Sequence, residues 1–551
     1  MSVTTKASDS VSAKAMSELP WWKGAVIYQI YPRSFKDTNG DGIGDLPGVL
    51  QELDHIASLG VDGIWISPFF TSPMADYGYD VADFCGVDPV FGTLDDFDAI
   101  VERAHALGLK VIIDQVYSHT SDHHDWFIES RSSRDNPRAD WYVWADPKTD
   151  GSPPNNWQSV FGGPSWEWDA RRGQYYFHNF LKEQPDLNLH NLEVQEALIE
   201  AGRFWLERGV DGFRLDALNF SMHDLLLRDN PPSGVSAMNA TRPFDMQLKT
   251  YNMSQPEIVE FIEKFRAMLE AYPGTFTVAE VGGPTPIKEM KAFTAGEKRL
   301  NSAYNFDFLY APVLDAERVI GSANQWDQSD GEGWPSWAFS NHDAPRAITR
   351  WAPADHRDEM ARLYMMLLLT LRGNPIIYQG EELGLPQAHV PFSNLKDPEA
   401  IANWPKTLGR DGARTPMPWQ QAELNAGFSA GTPWLPVDPA HLPLAVDQQQ
   451  GNDSVLQFTR EALAVRKRFP AFLQGRMSFA ETGSNSLLAI ERASEQETLL
   501  ALFNLGDQPV RIGDHLASAG ILALSSKPLK EDLLENKVLP ERTGVWIRAE
   551  D

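Results

Sequence analysis

The chain has 551 residues, with 76 acidic against 48 basic side chains and a net charge of −28 at pH 7. So acidic a surface repels phosphate backbones and makes nucleic acid a poor partner. Its 42% apolar content supplies a large core and excludes disorder as the main state. The single cysteine, Cys85, rules out an intrachain disulfide and a cysteine-based metal cluster, and reads as a buried small residue. No apolar run reaches the roughly 18 residues of a membrane span. The first twenty residues are polar, without the apolar centre of a signal peptide. A cytoplasmic protein with a disordered segment over 1–19 is expected.

Eight short β-rich runs follow in order: Ala25–Tyr31, Gly63–Ser67, Lys110–Val116, Gly212–Leu218, Thr275–Val281, Ala303–Phe308, Ser336–Ser340 and Pro375–Tyr378. The phrase Gly-Val-Asp-Gly precedes two of them, at 60–63 and 209–212. Between the runs lie stretches with helical spacing, such as Leu46–Leu59, where Leu46, Val49, Leu50, Leu53, Ile56 and Ala57 share a face. Gly60, Gly108 and Gly209 stand where helix C′ glycines belong. Strands alternating with helices eight times predict an α/β fold, a closed (β/α)8 TIM barrel. The rival open, doubly wound sheet lacks a Gly-x-Gly-x-x-Gly phosphate loop after the first strand.

The predicted barrel covers 20–119 and 186–472. Residues 120–185, rich in Trp, Pro, Gly, Asn and His, form an inserted domain over the C-terminal mouth, being too long for a structureless loop. Short alternating runs from 473 to 551 predict an antiparallel, β-sandwich-like domain.

Barrel strands deliver their C-terminal residues to one shared mouth. Strand three ends in Asp114-Gln115-Val116-Tyr117-Ser118-His119, strand four in Arg214-Leu215-Asp216-Ala217, strand five in Ala279-Glu280, and strand seven in Asn341-His342-Asp343. Singly, each acid reads as a strand cap or an ion-pair partner. Together, Asp216, Glu280 and Asp343 converge. Arg214 and Asp216, two apart, point to the same side. Clustered carboxylates push their pKa values apart, so the Asp beside Arg214 should stay ionised while the Glu keeps its proton. Glycoside hydrolysis requires that division.

These segments resemble the four signature regions of the α-amylase superfamily, glycoside hydrolase family 13, and nearest its α-glucosidases and oligo-1,6-glucosidases. The resemblance implies Asp216 as nucleophile, Glu280 as acid/base and Asp343 as transition-state stabiliser. It implies that His119, His342 and Arg214 bond the sugar or hold the nucleophile. Asp76 and Tyr79 match the pair that bonds and stacks on the non-reducing glucose, and Arg410 the arginine that closes the pocket with that aspartate. Phe161 and Phe180 look like aromatic walls. Ser118 stands where amylases carry a calcium-ligating Asn, so that calcium site is expected to be absent. Ala217, after the nucleophile, is similar to the small residue of α-1,4-selective members. The implied activity is an exo-acting, retaining α-glucosidase with transglucosylation to sugar or alcohol acceptors. An oligo-1,6-glucosidase, or a disaccharide isomerase on the same scaffold, is the alternative, although the Arg-Leu-Asp-Arg-Asp loop of sucrose isomerases is missing. A non-catalytic transporter heavy chain is a remote one, since the acids are intact and no span is present. The partner is a small α-glucoside; monomer and homodimer stay open.

A second signal lies in Asp37-Thr38-Asn39-Gly40-Asp41-Gly42-Ile43-Gly44-Asp45. Asp37, Asn39, Asp41 and Asp45 supply side-chain oxygens and Ile43 a carbonyl, as in the front of an EF-hand loop. Gly48 stands where the closing bidentate Glu would be, so this is no EF-hand. The resemblance implies a structural Ca²⁺ or Mg²⁺ here, against a metal-free polar turn. No organic cofactor is expected. His123 and His124 have no further ligand pattern around them.

Overall fold

The computed structural model describes residues 20–283, 285–326, 333–407, 409–513, 520–529 and 533–549. The stretch expected to be disordered, 1–19, lies outside them. All eight anticipated strands form: β1 (Ile27–Ile30), β2 (Gly63–Ile66), β3 (Lys110–Val116), β4 (Gly212–Asp216), β5 (Phe276–Glu280), β6 (Ser302–Tyr304), β7 (Trp334–Ala338) and β8 (Asn374–Tyr378). Each pairs in parallel with the next. The barrel closes where Ile27 of β1 lies opposite Ile376 of β8.

Side-chain alternation divides each strand between two cores. Ile27, Trp65, Ile112, Phe276, Val278 and Ile376 fill the barrel interior. Their neighbours Tyr28, Ile64, Val111, Ile113, Phe213 and Ile377 face outward, into the larger core shared with the helices. Burial on both faces is why the strands read as nearly continuous apolar runs. The predicted C′ glycines hold left-handed conformations, with φ of 89°, 78° and 90° at Gly60, Gly108 and Gly209. The expected helix over 46–59 is broken at Glu52 (φ −102°, ψ 10°) into Leu46–Gln51 and Leu53–Leu59. Strand β6 stops at Tyr304, short of the predicted Phe308. There the Asn305 side chain accepts from Asp307 N–H at 3.1 Å, and this local turn replaces the ladder. Strand β7 likewise ends early, and Asn341 Oδ1 accepts from the N–H groups of Asp343 (2.9 Å) and Ala344 (2.7 Å). That turn carries Asp343 off the strand and over the mouth.

The insertion after β3 contains a three-stranded antiparallel sheet of Trp144–Ala145, Gln174–Phe177 and Trp166–Asp169. It has its own small core of Val143, Ala145, Trp157, Trp166 and Phe177. At its root, His119 pairs with Asp186 and Tyr142 with Leu187. Beyond the barrel, β9 (Arg476–Phe479), β10 (Leu487–Ala493), β11 (Thr498–Asn504), β12 (Gly520–Ser525) and β13 (Thr543–Ala549) form an antiparallel sheet in the order β9-β10-β11-β13-β12. Opposite it, among the described residues, stands only a two-stranded ribbon, Val510–Arg511 with Val538–Leu539. One face of the sheet packs on the barrel, where Trp546 Nε1 donates to Thr370 Oγ1 at 2.8 Å. Cys85, expected to be buried, is only half-buried. Among the described residues no helix is long and apolar enough to cross a membrane.

Candidate active site

The parity that puts Ile112 and Val278 inside the barrel also turns Asp114, Arg214, Asp216, Glu280 and Tyr304 inward. In register, Arg214 lies opposite Asp114 on one side and Val278 on the other, and Glu280 lies opposite Tyr304. The Arg214 guanidinium, fully buried, is the centre of this group. Its Nη1 bonds both Asp216 Oδ1 and Asp114 Oδ1, the latter at 2.7 Å. Nη2 lies 2.6 Å from Glu280 Oε1 and 2.8 Å from Tyr304 Oη. Tyr304 in turn donates to Glu280 Oε1 at 3.0 Å. Trp65 Nε1 donates to Asp114 Oδ2 at 2.9 Å, and the Trp65 ring lies 4.9 Å from the guanidinium. One rigid cation therefore indexes three carboxylates from three strands.

A second cluster closes the opposite side. Arg410 Nη2 bonds Asp76 Oδ1 and Asp397 Oδ1, each at 2.7 Å, and Nη1 lies 3.5 Å from Asp343 Oδ1. Arg414 adds a 2.6 Å contact to the same Asp343 oxygen. Beneath them, Tyr79 and His342 lie parallel, with Oη and Nε2 in hydrogen-bond contact at 2.5 Å. His342 Nδ1 meets Gln29 Nε2 at 2.7 Å. Gln184 Nε2 bridges His119 Nε2 (3.0 Å) and Asp76 Oδ2 (3.3 Å). Phe161 and Phe180 stand 5.9 Å apart, and Arg410 covers Phe161 at 5.0 Å.

The two clusters enclose a cavity of about 600 Å³. Asp76, Tyr79, His119, Phe161, Phe180, Asp216, Ala217, Glu280, Asp343 and Arg410 all line it. Arg214 and His342 lie just behind, reaching the cavity through the groups they bond. Every residue singled out for the sugar site is thus brought together. Asp114, Tyr304, Gln29, Gln184, Asp397 and Arg414 complete the framework and were not singled out. The register of the barrel was the missing signal for the first two. Ala217 sits in the left-handed region (φ 40°, ψ 39°), strained for a residue with a Cβ. Asn219 Nδ2 secures that turn by donating to Gly282 O (2.8 Å) and Glu289 Oε2 (3.0 Å).

Burial and one shared arginine set the electrostatics of the two acids. Burial pushes Asp216 and Glu280 both up to about 7, and Arg214 opposes the rise in each. Because Arg214 bonds both acids, its charge does not by itself separate them. Burial raises Asp343 as well, but the charges of Arg414, Arg410 and Arg214 oppose it and hold the carboxyl well below its ordinary range. Burial lowers His119 to about 4 and His342 to about 3, so both rings are neutral.

In the 37–45 loop the four side chains act as turn acceptors. Asp37 receives N–H groups from Asn39 (3.0 Å), Gly40 (2.8 Å) and Gly42 (2.8 Å). Asn39 Oδ1 accepts from Asp41 N–H at 2.9 Å, and Asp41 Oδ1 from Ile43 N–H at 2.8 Å. Asp45 Oδ1 caps the following helix through Gly48 N–H at 2.7 Å. A Cβ on Gly42, at φ 90°, would meet Thr432 O at 1.9 Å, so only glycine fits there. The donor set suits a hard cation in kind. Among the described residues, however, no three His, Cys, Asp or Glu side chains are arranged to hold one, His123 and His124 included.

A buried acid pair in a barrel mouth, with a closed polar end, is the arrangement that glycoside cleavage requires. The family model for the alpha amylase catalytic domain matches residues 29–475. A probable alpha-glucosidase of Rhizobium meliloti (strain 1021) is 52% identical over 510 residues, covering 91% of this chain and 92% of that one. An oligo-1,6-glucosidase of Heyndrickxia coagulans is 36% identical, covering 89% and 93%. The crystal structure of an alpha-glucosyl transfer enzyme, XgtA, superposes with a TM-score of 0.90 at 47% identity, covering 97% of this chain and 100% of that one. The chain belongs to the α-amylase family of glycoside hydrolases, family 13.

Proposed function

We propose that the protein is an exo-acting, retaining α-glucosidase that prefers short α-1,4-glucosides and also transfers glucose to sugar or alcohol acceptors. The supporting observation is the single guanidinium bonded to both Asp216 and Glu280. Two acids sharing one fork sit close together, as the about 5–5.5 Å of retaining enzymes requires. Asp216 attacks the anomeric carbon while Glu280 gives its proton to the leaving oxygen. Water or an acceptor hydroxyl then gives a proton to Glu280, bonds the same carbon and releases Asp216. Asp343, held ionised, faces the positive charge that develops on the sugar. The Asp76–Arg410 pair ends the pocket behind one glucose, which favours release from the chain end.

Maltose, isomaltose, sucrose and longer maltooligosaccharides, followed by NMR of the first-formed anomer, test this reading. We expect α-glucose first, with maltose cleaved faster than isomaltose. First-formed β-glucose would exclude retention, fragments cut from within a chain would exclude exo action, and isomeric disaccharide from sucrose would favour an isomerase.

The 37–45 loop is proposed to take a structural Ca²⁺ or Mg²⁺, on the strength of its donor types and glycine positions. Asp37, Asn39, Asp41, Asp45 and the Ile43 carbonyl would hold the ion. Saturation a hundredfold above Kd adds about 2.7 kcal/mol. Chelation should therefore lower the melting temperature, and either ion should restore it. Identical melts with and without chelator would leave a metal-free turn.

A further inference from the structure

We propose that the outer part of the cavity receives an apolar alcohol or phenol carrying a carboxylate, and that Lys249 selects it. The inference rests on the glucosidase reading, and concerns the group that leaves or accepts glucose.

Lys249 lines the same cavity as Asp216 and Glu280, on the loop that follows β4. It is half-buried, with Nζ 4.3 Å from the Phe244 ring centroid. Among the described residues no carboxylate is in ion-pair contact with it. Its neighbour Arg242 is already engaged, at 2.5 Å from Glu399 and 3.6 Å from Asp245. Burial lowers the Lys249 pKa, with Arg242 adding to that effect and Asp245 opposing it. A partly desolvated cation with no carboxylate in contact is costly, and an anionic ligand relieves the cost.

Apolar side chains share the cavity lining with it. Phe220, Phe244, Leu248, Met253 and Phe306 line the same cavity as Lys249, and of these Phe244 lies directly against it. Leu248 is 43% exposed and Val235, also in the lining, 41%. Apolar side chains left open at a cavity mouth favour an apolar ligand that covers them. The loop is also held in place on both sides. Gln247 Nε2 donates to Asn156 O of the insertion at 2.7 Å, and Lys406 Nζ to Ala240 O at 3.0 Å. A fixed wall spends little ordering entropy on binding. One ammonium, with Arg242 already engaged by Glu399, balances a monoanion better than a phosphate dianion. Carboxylate is the chemistry that fits.

The test compares kcat/KM for phenyl, 4-carboxyphenyl and 4-phosphate-substituted phenyl α-glucosides in the wild type, Lys249→Met and Lys249→Arg. We expect the carboxylate-to-neutral ratio to fall about tenfold in Lys249→Met, the scale of a charge-assisted hydrogen bond. Lys249→Arg should keep most of the ratio, and added salt should reduce it in the wild type. An unchanged ratio in Lys249→Met overturns the inference. A larger loss for the phosphate than for the carboxylate overturns the choice of monoanion. Failure of the wild type to cleave any of the three, neutral one included, would count against the glucosidase reading itself.

Discussion

Asp216→Asn is expected to lower kcat/KM by about 10⁴-fold or more, the scale at which loss of a nucleophile registers in comparable enzymes. The amide has the shape of the carboxylate but cannot attack an anomeric carbon. Arg214 would keep Asp114 at 2.7 Å and Glu280 at 2.6 Å, so the buried framework should stay assembled. Removing one of three crowded carboxylates also removes repulsion. The melting temperature should therefore be unchanged or slightly higher. Initial rates on maltose and thermal melts of the same preparation check both halves. Turnover within tenfold of the wild type would mean that another group attacks.

Arg214→Met should cause the largest loss of stability of any single change at the site. It leaves Asp114, Asp216 and Glu280 buried without their shared cation, and breaking one buried pair already costs about 3–5 kcal/mol. The pH dependence has a definite sign. In the wild type Asp216 and Glu280 are raised from 3.8 and 4.5 to about 7. The folded state thus binds more protons than the unfolded one, and their contribution to stability is complete below about pH 4 and lost as pH rises through 7. Without Arg214 the folded values climb further. Protonated acids have less need of the missing cation, so the deficit relative to wild type should be smaller at low pH than at high pH. Urea titrations on both sides of neutrality measure it. Equal deficits at both would show that Arg214 stabilises by packing alone.

Much of this architecture was legible because period-two burial and C′ glycines are local signals. Strand positions held to within a few residues. The exceptions, at Glu52, Asn305 and Asn341, are places where side chains or tight turns compete with the regular ladder. The acids were legible because each ends an apolar run. Their partners were not: Arg214 meets Tyr304 and Glu280 only through the register of three strands, which no spacing in the chain reveals. The sharing of Arg214 between Asp216 and Glu280 was hidden for the same reason. The cavity mouth, residues 231–250, has neither helical nor strand periodicity, so Lys249 and Phe244 carried no signal until the loop was seen folded across the site.

The closure of β1 against β8 also bears on how the chain is made. Ile27 must wait for Ile376, and at about 5–20 residues per second that separation corresponds to roughly 20–70 s of synthesis. Throughout that interval the nascent sheet has an unpaired edge of apolar strands, the kind of surface that chaperones shield and that aggregates when left open. The pocket, whose floor joins Asp76 to Arg410, cannot exist until still later. Binding competence is therefore acquired only after Arg410 has been made, and a ribosome stalled before it would carry a chain with no closed sugar site.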